Sequence, residues 1–174
     1  KPPHTHRMVL LGYSHELGWG VGDGEPFEAV AEARINATLS PETGLAYEIL
    51  NFSMNSHGLV ELLGVLDLRA ADFEPDVVLL SAPAADRMFI VRRFARSLRR
   101  GTPPPYEFLL EIAERAGVDG STPDTWAYRR LAPFADEMIA RTYAAIADRA
   151  RDVGAEPVWL WVPSPKSAQT DLEA

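Results

Sequence analysis

Short apolar runs that alternate with helical segments constrain the fold of this chain more than any other feature of its sequence. The runs are Met8 to Leu11, Ala46 to Leu50, Val77 to Leu80 and Val158 to Val162. After the first run, apolar residues recur at helical spacing, and we expect Phe27, Val30, Ala31 and Ile35 on the buried face of that helix. Buried strands that alternate with helices predict a parallel sheet covered by helices on both faces.

The length and composition of the chain fit one globular domain. It has 174 residues, of which 47% are hydrophobic and 24% are charged, and a folded chain of this size buries roughly 70% of its extended surface. It has no cysteine, which excludes disulfides, thiolate metal sites and cysteine nucleophiles. We therefore expect a three-layer α/β/α fold with a flavodoxin-like parallel sheet, formed by residues 1–174 as a single domain.

Ligands of such folds bind beyond the carboxyl ends of the strands, where the strand order reverses. The loops in question are residues 12–24, 51–58, 81–87 and 163–170. The first begins Gly12-Tyr13-Ser14 and continues to Gly18-Trp19-Gly20-Val21. The second begins Asn51-Phe52-Ser53, and the third strand leads to Ala85-Asp86.

These blocks, taken in order, resemble those of the SGNH/GDSL hydrolase family. In that family the first strand ends in Gly-Asp-Ser, often followed by Gly-Trp-Gly-Val; a later block reads Asn-Phe-Gly or similar, and the third strand leads to Asn-Asp. The resemblance extends over nearly the whole chain. It implies ester hydrolysis or O-acyl transfer on a small-molecule or carbohydrate-borne acyl ester, with neither a metal nor an organic cofactor.

The resemblance also assigns roles to individual residues. Ser14 is implied as the nucleophile, because a serine at a strand-to-loop turn presents its hydroxyl where backbone N–H groups can meet an oxyanion. The N–H groups of Ser14 and Ser53 are implied as oxyanion donors, and Asn55 lies near enough in the second loop to serve as a further one. Asn51 and Asp86 are implied to organise their loops.

The chain departs from the family pattern at four points, the first of which is Ser53 in the position of the glycine. Tyr13 replaces the aspartate before the nucleophile, and Ala85 replaces an asparagine that donates to the oxyanion, a loss that typically costs on the order of 10²–10³ in rate. The Asp-x-x-His block that supplies the base is absent from residues 1–174. We expect the chain to lack the last strand and helix of the fold. Within it, His57 is the surrogate candidate for the base, since a neutral imidazole suits this work near pH 7.

Two alternative functions stay open. A relative that has lost its base and its asparagine would be a catalytically impaired binding or scaffolding domain of the same fold. A flavodoxin-like nucleotide-binding domain is the second alternative, but the glycines of the first loop do not fit G-x-G-x-x-G, because Asp23 occupies the last position.

Charge limits the partners. The formal net charge is −8 and the pI is about 5.0, which argues against nucleic acid as the main partner. No apolar run approaches the roughly 18 residues of a membrane span, and the oligomeric state and compartment stay open.

Residues 87–100 carry six arginines and no acid; we expect a solvated helix face paired with carboxylates, with an anion- or membrane-binding surface as the alternative. Residues 87–126 are predicted to form a lid or insertion.

Overall fold

The structure is a computed structural model that describes residues 1–22, 24–83 and 87–162. The chain divides into two compact units. Unit 1 comprises the described residues within Lys1–His57, Glu61–Ala84 and Ile146–Ala174, and unit 2 those within Gly58–Val60 and Ala85–Ala145.

Unit 1 contains a parallel sheet of four strands among the described residues. The strands are β1 (Thr5–Leu11), β2 (Ala46–Asn51), β3 (Val77–Pro83) and β4 (Glu156–Val162), in the spatial order β2-β1-β3-β4. The chain moves from β1 outward to β2 and then returns to β3 on the other side of β1, so the strand order reverses between β1 and β3. This reversal is the switch point at which open α/β sheets bind ligands.

Helices cover both faces of this sheet. The helices of unit 1 are α1 (Phe27–Thr38), the short α2 (Ser40–Thr43), most of α3 (Leu59–Leu68) and the end of α7 (Ala135–Asp152). Because crossovers between parallel strands are right-handed, α1 lies on one face, while α3 and α7 lie on the other. The guanidinium of Arg149 on α7 contacts Asp67 on α3 at 3.0 Å, as neighbours on one face do.

The packing of β1 confirms the expected burial on both sides of the sheet. Val9, Leu10 and Leu11 are fully buried, and consecutive residues of a strand point to opposite faces. Leu62, Leu63 and Leu66 of α3 supply part of the apolar cover. The parallel, helix-covered sheet predicted from the sequence is therefore confirmed.

Unit 2 is built from helices around its own core. They are α4 (Arg87–Arg99), α5 (Glu107–Ala116), α6 (Asp124–Leu131) and the first part of α7. Of these helices, α4 corresponds to the helix that the sequence predicts at residues 87–100. The core of the unit consists of apolar residues, among them Ile90, Val91, Phe94, Leu109, Ile112, Leu131 and Met138.

Two expectations about burial are wrong. Phe27 and Val30 are exposed, although the periodicity of α1 predicts them in the core, and Glu28 between them is buried instead. The buried Glu28 accepts a hydrogen bond at its Oε1 from Asn51 at the end of β2, which turns this side of α1 toward the sheet. Trp159 and Trp161 of β4, part of an apolar run that predicts a buried strand, are also exposed.

Asp76, at the start of β3, connects the amino ends of three strands. Its Oδ2 accepts the Arg7 N–H at 2.8 Å, its own N–H donates to the Arg7 carbonyl at 2.8 Å, and its carbonyl accepts the Glu156 N–H at 2.8 Å. Burial acts to raise the pKa of Asp76, but the hydrogen bonds from Lys1 and from the Arg7 N–H outweigh burial and lower it. The carboxylate therefore holds β1 and β3 in register in its ionised form.

Replacing this carboxylate should destabilise the sheet in a pH-dependent way. We expect Asp76→Ala to lower the free energy of unfolding by about 1 kcal/mol near pH 7, because the Arg7 N–H loses its acceptor. A group with a lowered pKa contributes stability above its ordinary value of 3.8 and loses it as pH falls through the lowered pKa. The difference from the parent chain should therefore shrink on acidification in urea titrations. Asp72→Ala, at an exposed position, is the control; an equal loss there would contradict the assignment.

Candidate functional site

Ser14 lies in a helical turn that begins where β1 ends. The Leu17 N–H donates to the Tyr13 carbonyl at 3.0 Å, and the Trp19 N–H lies 3.4 Å from the Ser14 carbonyl oxygen. Ser14 is half-buried. Neither its hydroxyl nor its N–H forms a hydrogen bond with any other residue that the structure describes. Both groups are thus available to a ligand beside a central strand of the sheet.

A buried carboxylate, that of Glu16, lies beneath this turn. The side chain is only 5% exposed. Its Oε2 accepts the Tyr13 N–H at 2.7 Å, and its Oε1 accepts the hydroxyl of the fully buried Ser81 on β3 at 2.7 Å. The carboxylate therefore links the turn that carries Ser14 to the neighbouring strand across the switch point.

Asn51, at the end of β2, connects three further segments. Its Nδ2 donates to the main-chain carbonyl of Glu16 at 2.7 Å and to Oε1 of Glu28 at 2.7 Å. Its Oδ1 accepts the Ser53 N–H at 2.9 Å. One carboxamide thereby joins the Ser14 turn, the first turn of α1 and the second loop.

Glu28 is the group that sequence reasoning missed. It lies in the first turn of α1, where the helix dipole stabilises a negative charge, and its Oε1 accepts from Asn51. Its Oε2 is buried without a hydrogen-bond partner among the described residues. The available signal was an acidic residue in a helix's first turn, but that pattern alone does not distinguish a buried carboxylate from an exposed one.

Gly12 lets these groups approach one another closely. A Cβ at this position would lie 2.6 Å from the Glu16 Cβ and 2.7 Å from the Ser53 Oγ, distances that no side chain tolerates. The Ser53 Oγ is itself buried with no hydrogen-bond partner in the described part of the chain. The turn and the second loop thus meet at a point that has room only for glycine.

Main-chain hydrogen bonds join the second loop to the end of β1 and to the start of the first loop. The Phe52 N–H donates to the Leu10 carbonyl at 2.8 Å, and the Met54 N–H donates to the Gly12 carbonyl at 3.2 Å. These bonds continue the pairing of β1 and β2 past the strand ends. They bring Ser53 beside the Ser14 turn, with its N–H donated to Asn51.

The remaining sequence-predicted groups lie farther along this loop. Ser56 has a positive φ of 59°, and the Nδ1 of the next residue, His57, lies 3.1 Å from the Asn55 carbonyl oxygen. Asn55 is exposed, as is His15. Within residues 1–22, 24–83 and 87–162, no hydrogen bond joins Ser14 to either histidine or to Asn55. Ala85 and Asp86 lie outside the described residues.

Neither a metal centre nor a membrane-crossing helix is found in the described ranges. No group of three or more histidine, aspartate or glutamate side chains there has the arrangement that holds a metal ion. No helix among those residues is long and apolar enough to cross a bilayer. The candidate site is described by the serine, amide and carboxylate groups at the carboxyl edge of the sheet.

Comparisons with known proteins show which solved structures have a similar fold. No family model and no curated protein matches the chain. Among solved structures, TesA superposes with a TM-score of 0.51 at 15% identity, over 94% of this chain and 64% of TesA. AlinE4, an SGNH-hydrolase family esterase, gives 0.42 at 15% identity over 91% of this chain and 77% of AlinE4. A mutant of Axe2, an acetyl-xylooligosaccharide esterase from Geobacillus stearothermophilus, gives 0.43 at 12% identity over 97% and 80%.

The chain thus spans 64% of the length of TesA. At this level of identity the likeness concerns the fold alone. The superposition on TesA confirms the three-layer α/β/α fold that the sequence predicted.

Proposed function

We propose that this protein hydrolyses a small or carbohydrate-borne acyl ester, or transfers its acyl group to another hydroxyl, with Ser14 as the nucleophile. The observation that carries the proposal is the state of Ser14. Its hydroxyl and its N–H are both without hydrogen bonds to other described residues, and the residue follows a central strand at the switch point. A nucleophile and an oxyanion donor are thereby present in one residue.

The chemistry is acyl transfer in two steps. The Ser14 Oγ attacks the ester carbonyl carbon, its proton passes to a base, and the carbonyl oxygen becomes an oxyanion that the Ser14 N–H stabilises. The tetrahedral intermediate collapses, and the alcohol leaves with the proton that the base returns. Water, or an acceptor hydroxyl, then attacks the acyl-serine by the same route. No group beyond the ester and the attacking hydroxyl is consumed.

Two further donors support the oxyanion in this proposal, with different constraints. The Ser53 N–H lies beside the turn but donates to Asn51 Oδ1 at 2.9 Å, so it serves only by sharing its hydrogen between two acceptors or by leaving Asn51. The Asn55 side chain is exposed, and its Oδ1 accepts from the Ser56 hydroxyl at 3.3 Å. Its amide nitrogen is thus the freer donor of the two.

His57 is the base that we propose from within the described chain. Its Nδ1 lies 3.1 Å from the Asn55 carbonyl oxygen, and a carbonyl accepts only from a protonated nitrogen. That contact favours the tautomer with a hydrogen on Nδ1 and a lone pair on Nε2. Catalytic histidines are oriented in the same way, by an acceptor at one ring nitrogen, which leaves the other free to take the serine proton.

The carboxylate of Glu16 is a positioning group in this proposal. It contacts neither the ester nor the Ser14 hydroxyl, but it accepts the N–H of Tyr13, the residue before the nucleophile. Tyr13 stands where the family pattern has an aspartate. The carboxylate of Glu16, three residues later, also accepts a hydrogen bond from the Ser81 hydroxyl and thus fixes the turn to β3.

Removal of the nucleophile provides the first test. We expect Ser14→Ala to lower kcat/KM for p-nitrophenyl acetate by at least about 10³-fold, because no other group replaces the attacking oxygen. The measurement is initial-rate hydrolysis by the full chain, with Ser121→Ala, an exposed serine of unit 2, as the control. If Ser14→Ala hydrolyses the ester as fast as the parent chain does, Ser14 is not the nucleophile. A parent chain that does not hydrolyse the ester would instead favour a binding or scaffolding function.

The proposed base is tested by a matched pair of histidines. We expect His57→Ala to lower kcat by about 10²–10⁴-fold with little change in KM, because the base acts on the proton and not on substrate binding. His15→Ala, next to the nucleophile in sequence and exposed, should retain activity. Equal retention in both variants, with Ser14→Ala inactive, would assign the base to another residue.

Glu16 is tested by comparing an isosteric with a truncating change. Glu16→Gln keeps an acceptor for the Tyr13 N–H and offers a donor to Ser81, so most activity should remain. Glu16→Ala leaves both partners unpaired, and we expect the free energy of unfolding to fall by about 2 kcal/mol and kcat to fall more than KM rises. Glu25→Ala, which removes an exposed carboxylate from the same loop, is the control in urea titrations and rate measurements. Full activity in Glu16→Ala would contradict the positioning role.

A further inference from the structure

Unit 2 has a cluster of exposed arginines and aromatic rings that the proposed reaction does not use. We call it the arginine–aromatic surface. Its exposed arginines are Arg92, Arg96, Arg100 and Arg129, the half-buried Arg93 lies next to them, and its rings are Phe89 and Trp126. Arg129 belongs to α6, and the other arginines belong to α4 or follow it directly.

Side-chain contacts join the two helices that carry these residues. The guanidinium of Arg99 on α4 pairs with Asp124 on α6 at 2.6 Å. Two turns earlier on α4, the Arg92 guanidinium lies 5.7 Å from the ring centroid of Tyr128 on α6. The solvent-facing arginines of α4 therefore lie beside α6 and not on an isolated helix.

Most arginines elsewhere in unit 2 are neutralised by carboxylates. Arg87 pairs with an aspartate at 3.0 Å, Arg115 with a glutamate at 2.6 Å and Arg141 with a glutamate at 2.9 Å. The hydrogen bond from Arg115 lowers the pKa of its partner, Glu137. Pairing with carboxylates is thus the ordinary arrangement of arginines in this unit.

The row on α4 is different. Arg92, Arg96 and Arg100 recur at four-residue spacing, so they lie above one another on one helix face. All three are exposed, and none has an ion pair with any residue in the described ranges. The sequence-based expectation that these arginines pair with carboxylates is therefore wrong for this row. Three like charges at this spacing repel one another, and an anionic partner would relieve the repulsion.

Each of the two helices also carries an exposed ring next to one of its own arginines. Phe89 is 37% exposed and Trp126 is 55% exposed. The Arg93 guanidinium lies 5.2 Å from the Phe89 ring centroid, and the Arg129 guanidinium lies 5.8 Å from that of Trp126. Arginines next to exposed aromatic rings combine the two groups that surfaces lying on a bilayer use, one for the headgroups and one for the boundary with the acyl chains.

We propose that the arginine–aromatic surface docks on a phospholipid membrane that carries anionic headgroups. Charge complementarity selects an anionic partner, and the exposed rings favour a bilayer, whose boundary accepts apolar side chains. Nucleic acid is disfavoured, because each of the two rings already has an arginine over its face, where a base would stack. The proposal does not depend on the ester chemistry.

The acidity of the whole chain does not oppose this docking. Residues 85–145 hold ten arginines against eight acids, although the net charge of the chain is −8, so the excess of acid lies in the rest of the sequence. Electrostatic interactions are screened over about 8 Å at physiological ionic strength. The surface potential next to the bilayer is therefore set mainly by the local arginines.

The test is flotation of the full chain with vesicles. We expect it to float with phosphatidylcholine vesicles that contain 30% phosphatidylglycerol (about a third of the lipid, enough for a strongly negative surface) and not with phosphatidylcholine alone. The triple variant Arg92→Gln, Arg96→Gln, Arg100→Gln should partition about 100-fold less, since each arginine near an anionic surface contributes about fivefold. The control variant Arg87→Gln, Arg115→Gln, Arg141→Gln removes the same charge from paired positions and should partition as the parent chain does.

Each other outcome overturns the proposal. If the parent chain does not float with anionic vesicles, the surface does not bind membranes. If both triple variants lose flotation equally, the binding is not specific to this surface. Tighter binding to a single-stranded RNA oligonucleotide than to the vesicles would assign the surface to nucleic acid. Full competition by millimolar inorganic phosphate would assign it to a free anion. Thermal unfolding of each variant verifies that it is folded. Trp126→Ala leaves every arginine in place, and we expect it to lower partitioning because the ring enters the bilayer boundary.

Discussion

Burial of β1 on both faces is the constraint on which the rest of the structure depends. A strand whose consecutive residues Val9, Leu10 and Leu11 are all without solvent contact needs neighbours on both edges and helices on both faces. It offers no place for a polar functional group along its length. Reactive groups are therefore displaced to the point where the strand ends, and Gly12 begins the turn that carries Ser14.

The turn is held by hydrogen bonds to buried groups and not by apolar packing. The carboxylate of Glu16 and the carboxamide of Asn51 together accept or donate five hydrogen bonds that reach β3, α1 and the second loop. Buried polar groups are stable only when they are paired, so this arrangement specifies one position for the turn. Glu28 of α1 is buried where its Oε1 accepts from Asn51, although its Oε2 has no partner among the described residues, while Phe27 and Val30 of the same helix are exposed.

The two units use charge in opposite ways. In unit 1 the charges near the switch point are acidic, buried and paired with amides. In unit 2 arginines dominate the exposed face of α4, and the row formed by Arg92, Arg96 and Arg100 has no carboxylate partner among the described residues. The net charge of the whole chain does not show this separation, because it is a single sum over the acids and arginines of both units.

The strands, their parallel pairing and the position of Ser14 at a strand end followed from the sequence alone, because continuous apolar runs and loop glycines are local signals that survive without knowledge of the partner. The helix α6, the burial of Glu28 and the link from Glu16 to Ser81 did not follow. Each depends on a partner distant in the chain, 65 residues away for the last pair, and no local pattern encodes such a distance. Only the tertiary structure brings those groups together, and with them it decides which polar side chains support the turn and which charges stay exposed.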